Sequence, residues 1–183
     1  MLEDLAPLPA PNDVSVAAGL RRVERYVRSR TLEQTRPGQG DQPAFVSREP
    51  NAFPAPVTPG THALAAFDAA YSMAPYVLGP DEALVMSARW PTCRCDNVSM
   101  WNRHLQTYDY AHRRVSFNRA QTKLDADGSF RIVIAHQDPR PHGDIANWLD
   151  TEGRPFGMVF WRYFLPEGDI VTPDAKVVNF SDL

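Results

Sequence analysis

The chain reads as a mainly β domain, an antiparallel sandwich or barrel, preceded by one α-helix. Three observations lead there. From Tyr76 onward, short alternating apolar and polar runs are separated by turn signals such as Gly79-Pro80-Asp81 and Asp127-Gly128, and several strands joined by turns with few helices define this class. Val16 to Val27 carries a clear helical period. Between the two lies a stretch too rich in proline for a helix or a central strand.

In chain order, residues 1–12 form a flexible, proline-rich arm. A helix over 14–30 follows, capped by Asp13 or Ser15, whose short side-chain oxygens accept from free backbone N–H groups. Val16, Leu20, Val23 and Val27 mark one face, and Arg21, Arg22, Arg25 and Arg28 form a solvated basic surface around it. The segment RPGQGDQPAFVSREPNAFPAPVTPG, Arg36 to Gly60, wraps the domain and is pinned by Phe45 and Phe53. His62–Tyr71 is a short helix with Leu64, Phe67 and Tyr71 on one side.

Strands are expected from Tyr76, over Ala83–Arg89, Asn97–Tyr108 and Arg114–Leu124, then through an Asp127-Gly128 hairpin into Ser129–His136. A loop spans Asp138–Gly153, and Gly157–Leu165 and Lys176–Phe180 close the sheet. The organisation is an arm at 1–12, a helix and proline-rich segment packed on the domain at 13–72, and the β domain at 73–183.

Composition narrows the function. The 183 residues are 43% hydrophobic and 22% charged, ordinary for a soluble globular protein large enough for a real core. A net charge of −3 argues against nucleic-acid binding through a general basic surface. No apolar run approaches the roughly 20 residues that span a bilayer, and the N-terminus lacks a cationic start and an apolar centre. Cys93 and Cys95 are too close in sequence to make a good disulfide. A cytoplasmic location is the expectation, with neither membrane nor nucleic acid as partner.

The candidate chemistry rests on three strand faces, because successive strand side chains point to opposite sides. An extended Val98–Tyr108 aligns Val98, Met100, Asn102, His104, Gln106 and Tyr108; Phe130, Ile132, Ile134 and His136 share a second face, and Met158, Phe160, Arg162 and Phe164 a third. If the faces converge, His104 or His136 acts as general acid or base and Arg162 holds a carboxylate or enolate-like oxygen. Tyr108 then adds a hydrogen bond. Asn102 and Gln106 line the mouth as ligand-binding residues, and so do Asn147 and Trp148 of the Asn147-Trp148-Leu149-Asp150 loop. The bland alternative makes each a satisfied core or rim residue, with Arg162 paired to Asp138 or Asp150 and Trp148 plugging the end of the sandwich. Cys93, Cys95, His104, His112 and His136 have the wrong spacing for zinc, so no metal is expected. No phosphate loop, serine elbow or HExxH occurs, and no cofactor is expected.

An ordered set of residues carries more. Pro91, Arg94, Trp101-Asn102, Asp109-Tyr110, Val115-Ser116, Asn118, Ala120-Gln121, Asp125, Asp127 to Phe130, Ile134 to His136, Asp138-Pro139, Asn147 to Thr151, Gly153 and Trp161 to Tyr163 resemble the DUF1214 domain over roughly 75–180. The resemblance implies a jelly-roll-like β-sandwich and no catalytic residue, since the family name records no general activity. Its larger members carry a DUF1254 domain ahead of it. The expected function is a small-molecule enzyme without redox cofactor, performing hydrolysis, hydration or isomerisation of a small, carboxylate-bearing substrate. The alternatives are a non-catalytic module for a sugar or lipid-like ligand, or a subunit of a larger assembly whose helix 14–30 docks another chain. A small-molecule ligand is the expected partner, and a homodimer the expected oligomer if the chain associates.

Overall fold

The computed structural model describes residues 10–32, 43–60 and 66–183, and the chain divides into two compact units, Met1–Arg36 and Pro37–Leu183. The first holds helix α1, Asp13–Thr31. Its cap is Asn12, one residue ahead of the expected Asp13 and three ahead of Ser15. Asn12 Oδ1 accepts from Ser15 N at 2.9 Å, and Ser15 Oγ accepts from Asn12 N at 2.9 Å. This reciprocal box satisfies two backbone donors that helix geometry leaves open. Val16, Leu20 and Val23 share an exposed face. Of the expected arm, residues 1–9 lie outside the described residues.

The second unit contains β1 (Ala69–Val77), β2 (Glu82–Arg89), β3 (Cys95–Trp101), β4 (Ser116–Phe117), β5 (Ser129–Ala135), β6 (Trp148–Asp150), β7 (Phe156–Phe164) and β8 (Asp174–Asn179). They form two four-stranded sheets, β1-β7-β3-β4 and β6-β5-β2-β8. Pairing is antiparallel except between β5 and β6. Tyr76, Leu84, Met86, Val98, Met100, Phe130, Ile132, Ile134, Trp161 and Tyr163 meet in one core, which makes the arrangement a β-sandwich. Trp90 stacks on Phe130 with ring centroids 4.9 Å apart and tilts against Trp161 at 5.4 Å.

Several sequence expectations are corrected. The helix expected at His62–Tyr71 falls partly on residues 61–65, outside the described residues, and Ala69 to Tyr71 already belong to β1. β1 is buried on both faces: Ala70 and Tyr76 join the central core, while Ala69, Tyr71 and Met73 join an outer cluster with Phe45 and Phe160. A strand buried on both sides loses the alternation that reveals strands. Pro75 fits because β1 is an edge strand. On its free side Met73 N donates to Phe45 O and Tyr71 N to Val57 O, and Pro75 O accepts from Asn51 N at 2.8 Å. Residues 43–57 thus run along that edge and cover groups that would otherwise be open for pairing. Phe53 sits edge-on to Trp161 at 6.3 Å.

The strand expected over Asn97–Tyr108 stops at Trp101. Asn102 Oδ1 accepts from His104 N at 2.8 Å and Gln106 N at 3.1 Å, and Leu105 takes φ 62°. An asparagine side chain bonding the backbone ahead of it is a standard way to break a strand. Arg114–Leu124 is strand only at Ser116–Phe117; Asn118 and Gln121 then bond each other's backbone N–H groups across a turn. The Asp127-Gly128 turn forms with Gly128 at φ 82°, the left-handed region that favours glycine. It is not a hairpin, because β4 and β5 belong to different sheets. The expected loop Asp138–Gly153 contains β6. No helix among the described residues is long and apolar enough to cross a membrane.

Candidate functional site

The outer face of the β6-β5-β2-β8 sheet carries the candidate site. Alternation sends Leu84, Met86, Phe130, Ile132, Ile134, Ala175 and Val177 toward the core, which leaves their neighbours on the opposite side. Register then sorts those neighbours into rows. Ala83 lies opposite Ala135 and Val178, Val85 opposite Val133 and Lys176, and Ser87 opposite Arg131 and Asp174. The floor therefore grades from apolar, through mixed, to charged.

Asn147 extends the charged row sideways. Its Oδ1 accepts from Lys123 N at 2.8 Å, and its Nδ2 donates to Lys123 O and Arg131 O, both at 2.9 Å. The order across this end of the sheet is Lys123, Asn147, Arg131, Ser87 and Asp174. Asp125, Asp144, Ile145, Ala146, Asp182 and Leu183 complete the walls of a cavity of about 390 Å³.

Its charges are held apart. Elsewhere Arg89, Arg113, Arg119, Arg140 and Arg154 each pair with a carboxylate, on Asp127, Asp150, Asp96, Asp138 and Glu152 respectively. Among the described residues, none of the seven charged groups lining the cavity (Lys123, Arg131, Lys176, Asp125, Asp144, Asp174, Asp182) is in such a pair. Lys123 and Lys176 are also the chain's two lysines; every other cationic side chain of the Lys-plus-Arg set is arginine. A lysine ammonium is a compact charge with three rotatable donors, which suits varied hydrogen-bond geometry better than arginine's rigid fork.

The residues singled out from sequence do not gather. His104 is exposed in the turn after β3. Asn102 and Gln106 bond each other across that turn at 3.0 Å, so their polar groups close the loop. Because the strand ends at Trp101, the alternation that aligned His104 with Val98 fails. Tyr108 is buried, its hydroxyl 2.7 Å from that of Tyr76, with the Arg154 guanidinium 5.2 Å over its ring. Burial raises the pKa of both tyrosines. His136 Nδ1 lies 2.6 Å from Oγ1 of fully buried Thr151.

Arg162 is exposed on β7, its neighbours Trp161 and Tyr163 pointing to the core. Its guanidinium lies over Phe160 at 5.0 Å and Tyr71 at 5.7 Å, on the outer side of the sheet opposite the one that ends in His136. The expected carboxylate partners Asp138 and Asp150 pair with Arg140 and Arg113 instead. Trp148 is half-buried against Ala83, Val133 and Ala135, donates from Nε1 to Ala135 O at 3.4 Å, and lies under Arg140 at 5.7 Å. It covers one end of the outer face. Asn147 lines the cavity, with its amide committed to holding Lys123 and Arg131.

Cys93 donates to Asp96 Oδ2 at 3.3 Å, and its pKa is pushed up to about 11, first by burial and then by that bond. A thiol so placed is a poor nucleophile at neutral pH. No cluster of three or more metal-ligand side chains occurs among the described residues. The residues missed from sequence were Lys123, Arg131, Asp174 and Lys176. The signal that could have found two of them was the rarity of lysine in an arginine-rich chain.

Comparison with known proteins gives a family and two structural neighbours. The model of DUF1214, a protein of unknown function, matches residues 84–168. The crystal structure of an uncharacterised protein from Burkholderia cenocepacia is 27% identical with a TM-score of 0.73, over 98% of this chain and 48% of that one. The VPA0106 protein from Vibrio parahaemolyticus is 20% identical with a TM-score of 0.51, over 66% of this chain and 33% of that one, and shows the fold alone. The chain spans about half the length of the first and a third of the second. No curated protein matches it.

Proposed function

Residues 84–168 match the model of the DUF1214 family, and we propose that they form, with β8, a ligand-binding module of jelly-roll type that takes a small polar molecule on the outer face of the β6-β5-β2-β8 sheet. One observation carries this reading: three cationic and four anionic side chains line one cavity, and among the described residues none of the seven is in an ion pair. Ligand pockets place a few polar groups to fix orientation, and charges left apart remain available to a ligand.

The polar end of the floor favours a hydroxylated or charged ligand over a lipid-like one. The acid–base enzyme reading loses its support, since His104, Tyr108, His136 and Arg162 occupy four separate surroundings. A cytoplasmic setting is consistent with the two free thiols, Cys93 and Cys95.

The chain's own composition supplies the test. Reductive methylation with ¹³C-formaldehyde labels Lys123 and Lys176 and no other side-chain amine. Saccharides, amino acids, dipeptides and carboxylates are first ranked by thermal shift, because a ligand of the native state raises its apparent stability. A stabilising ligand that moves both lysine methyl signals supports the site. One that stabilises the protein while both signals stay fixed places the site elsewhere.

A further inference from the structure

The cavity's charges are not scattered, and their order specifies a ligand; this step rests on the binding reading above. Across the charged end the sequence of side chains is Lys123, Arg131, Ser87, Asp174. Two cations stand at one side, a neutral hydroxyl in the middle and a carboxylate at the other. Asn147 fixes the cationic side, since one amide bonds the backbone of both Lys123 and Arg131.

Arg131 and Asp174 both lie opposite Ser87, on the strands flanking β2. Neighbouring strands are about 4.8 Å apart, so their backbones stand roughly 10 Å from each other. Strand side chains stand roughly perpendicular to the sheet, and no ion pair joins Arg131 to Asp174 among the described residues, which leaves room for a molecule between them. Lys176 lies two residues along β8 from Asp174 on the same face, and Asp125, Asp144 and Asp182 stand on the walls.

We infer that this row recognises a zwitterion of about dipeptide size. Its carboxylate lies toward Lys123 and Arg131, and its ammonium toward Asp174. An α-amino acid is too short to reach both ends. A dianion places its second charge beside Asp174, where Lys176 offsets the repulsion only in part. The row beyond, Val85 with Val133, receives a small apolar side chain.

The test titrates dialanine into the ¹³C-methylated full chain and follows the lysine signals, alongside its N-acetyl form, its C-terminal amide, alanine, and glucose. Dialanine is expected to bind, and loss of either terminal charge to weaken binding roughly tenfold or more, as losing a charged hydrogen bond does. Asp174→Asn should weaken dialanine while leaving the N-acetyl form unchanged, and Arg131→Gln should weaken dialanine while leaving the amide unchanged. Urea unfolding midpoints check that both variants fold. If the N-acetyl form or glucose binds as well as dialanine, the zwitterion inference fails while the cavity stands as a site. If no compound in this set or in the wider ligand panel moves either lysine signal, both readings fail.

Discussion

The side chain of Asn147 pairs with the backbone of Lys123 as a neighbouring strand would, accepting from its N–H at 2.8 Å and donating to its C=O at 2.9 Å. Its second amide hydrogen reaches Arg131 O, also at 2.9 Å. Three bonds use the acceptor and both donors of one fully buried amide, and they tie the β4–β5 connection to the edge of the sheet.

Replacing Asn147 by alanine therefore removes three bonds at once. At about 1 kcal/mol net per bond, with buried partners left open, the loss is about 3 kcal/mol, read as a lower urea midpoint with unchanged slope. Asn147→Asp keeps the acceptor but places a charge where two donors are needed, and it should be at least as damaging. A loss below about 0.5 kcal/mol for both variants would show that the Lys123 segment is held by other contacts.

Gly157 is the second fixed point. A Cβ there would stand 2.2 Å from Tyr108 Oη, 2.6 Å from Tyr76 Cε1 and 2.7 Å from Trp101 O. Two of these belong to the buried, hydrogen-bonded Tyr76–Tyr108 pair, and the third is backbone, so none moves cheaply. Gly157→Ala should cost about 3 kcal/mol or more, at the upper end of overpacking effects. Tyr108→Phe, which removes only the hydroxyl 2.7 Å from Tyr76, should cost about 1 kcal/mol. Gly157→Ala in a Tyr108→Phe background separates the clashes: a persisting loss assigns the conflict to Trp101 O and the Tyr76 ring.

These two residues also show what sequence could and could not reveal. β2, β5 and β7 were legible because one face of each is strongly apolar, and α1 because Val16, Leu20, Val23 and Val27 repeat at helical spacing. β1 was missed because both its faces are buried. The end of β3 was missed because Asn102 bonds the backbone ahead of it, an effect of one side chain that periodicity does not register. The candidate site was illegible for a different reason. Arg131, Ser87 and Asp174 are far apart in sequence and become neighbours only through strand pairing. Alternation correctly put polar residues on one face of each strand, but which faces adjoin is decided by the sheet order.

Asp127 gives a prediction in pH. Its Oδ1 accepts from Ser129 Oγ at 2.5 Å and Ser129 N at 3.0 Å, and Arg89 pairs with its other oxygen at 2.8 Å. These contacts, the Ser129 hydroxyl first, lower its pKa from 3.8 to about 2. A carboxylate with a depressed folded-state pKa contributes stability above its unfolded value and loses it as pH falls through the folded one. The contribution is present above about pH 4 and is lost between there and about pH 2. Asp127→Asn keeps an acceptor for Ser129 but does not titrate in this range. Its urea midpoint should fall less steeply over that window than the parent's, and identical slopes would rule out a role for this turn in acid sensitivity.

Cys93 and Cys95 should differ in reactivity although they stand two residues apart. Cys95 is exposed; Cys93 is half-buried and donates to Asp96, and its pKa is pushed up to about 11. Only the thiolate attacks an alkylating agent, so near pH 8 Cys93 carries roughly a thousandth of its thiol in reactive form. Iodoacetamide followed by peptide mass mapping should mark Cys95 first, and the Cys93 rate should climb about tenfold per pH unit toward pH 11. Asp96 is buried and also pairs with Arg119 at 2.8 Å. Asp96→Asn removes the negative charge beside the thiol and leaves the guanidinium facing it, so both changes speed Cys93 alkylation. Equal rates for the two cysteines in the parent protein near pH 8 would mean that the Cys93–Asp96 bond does not hold in solution.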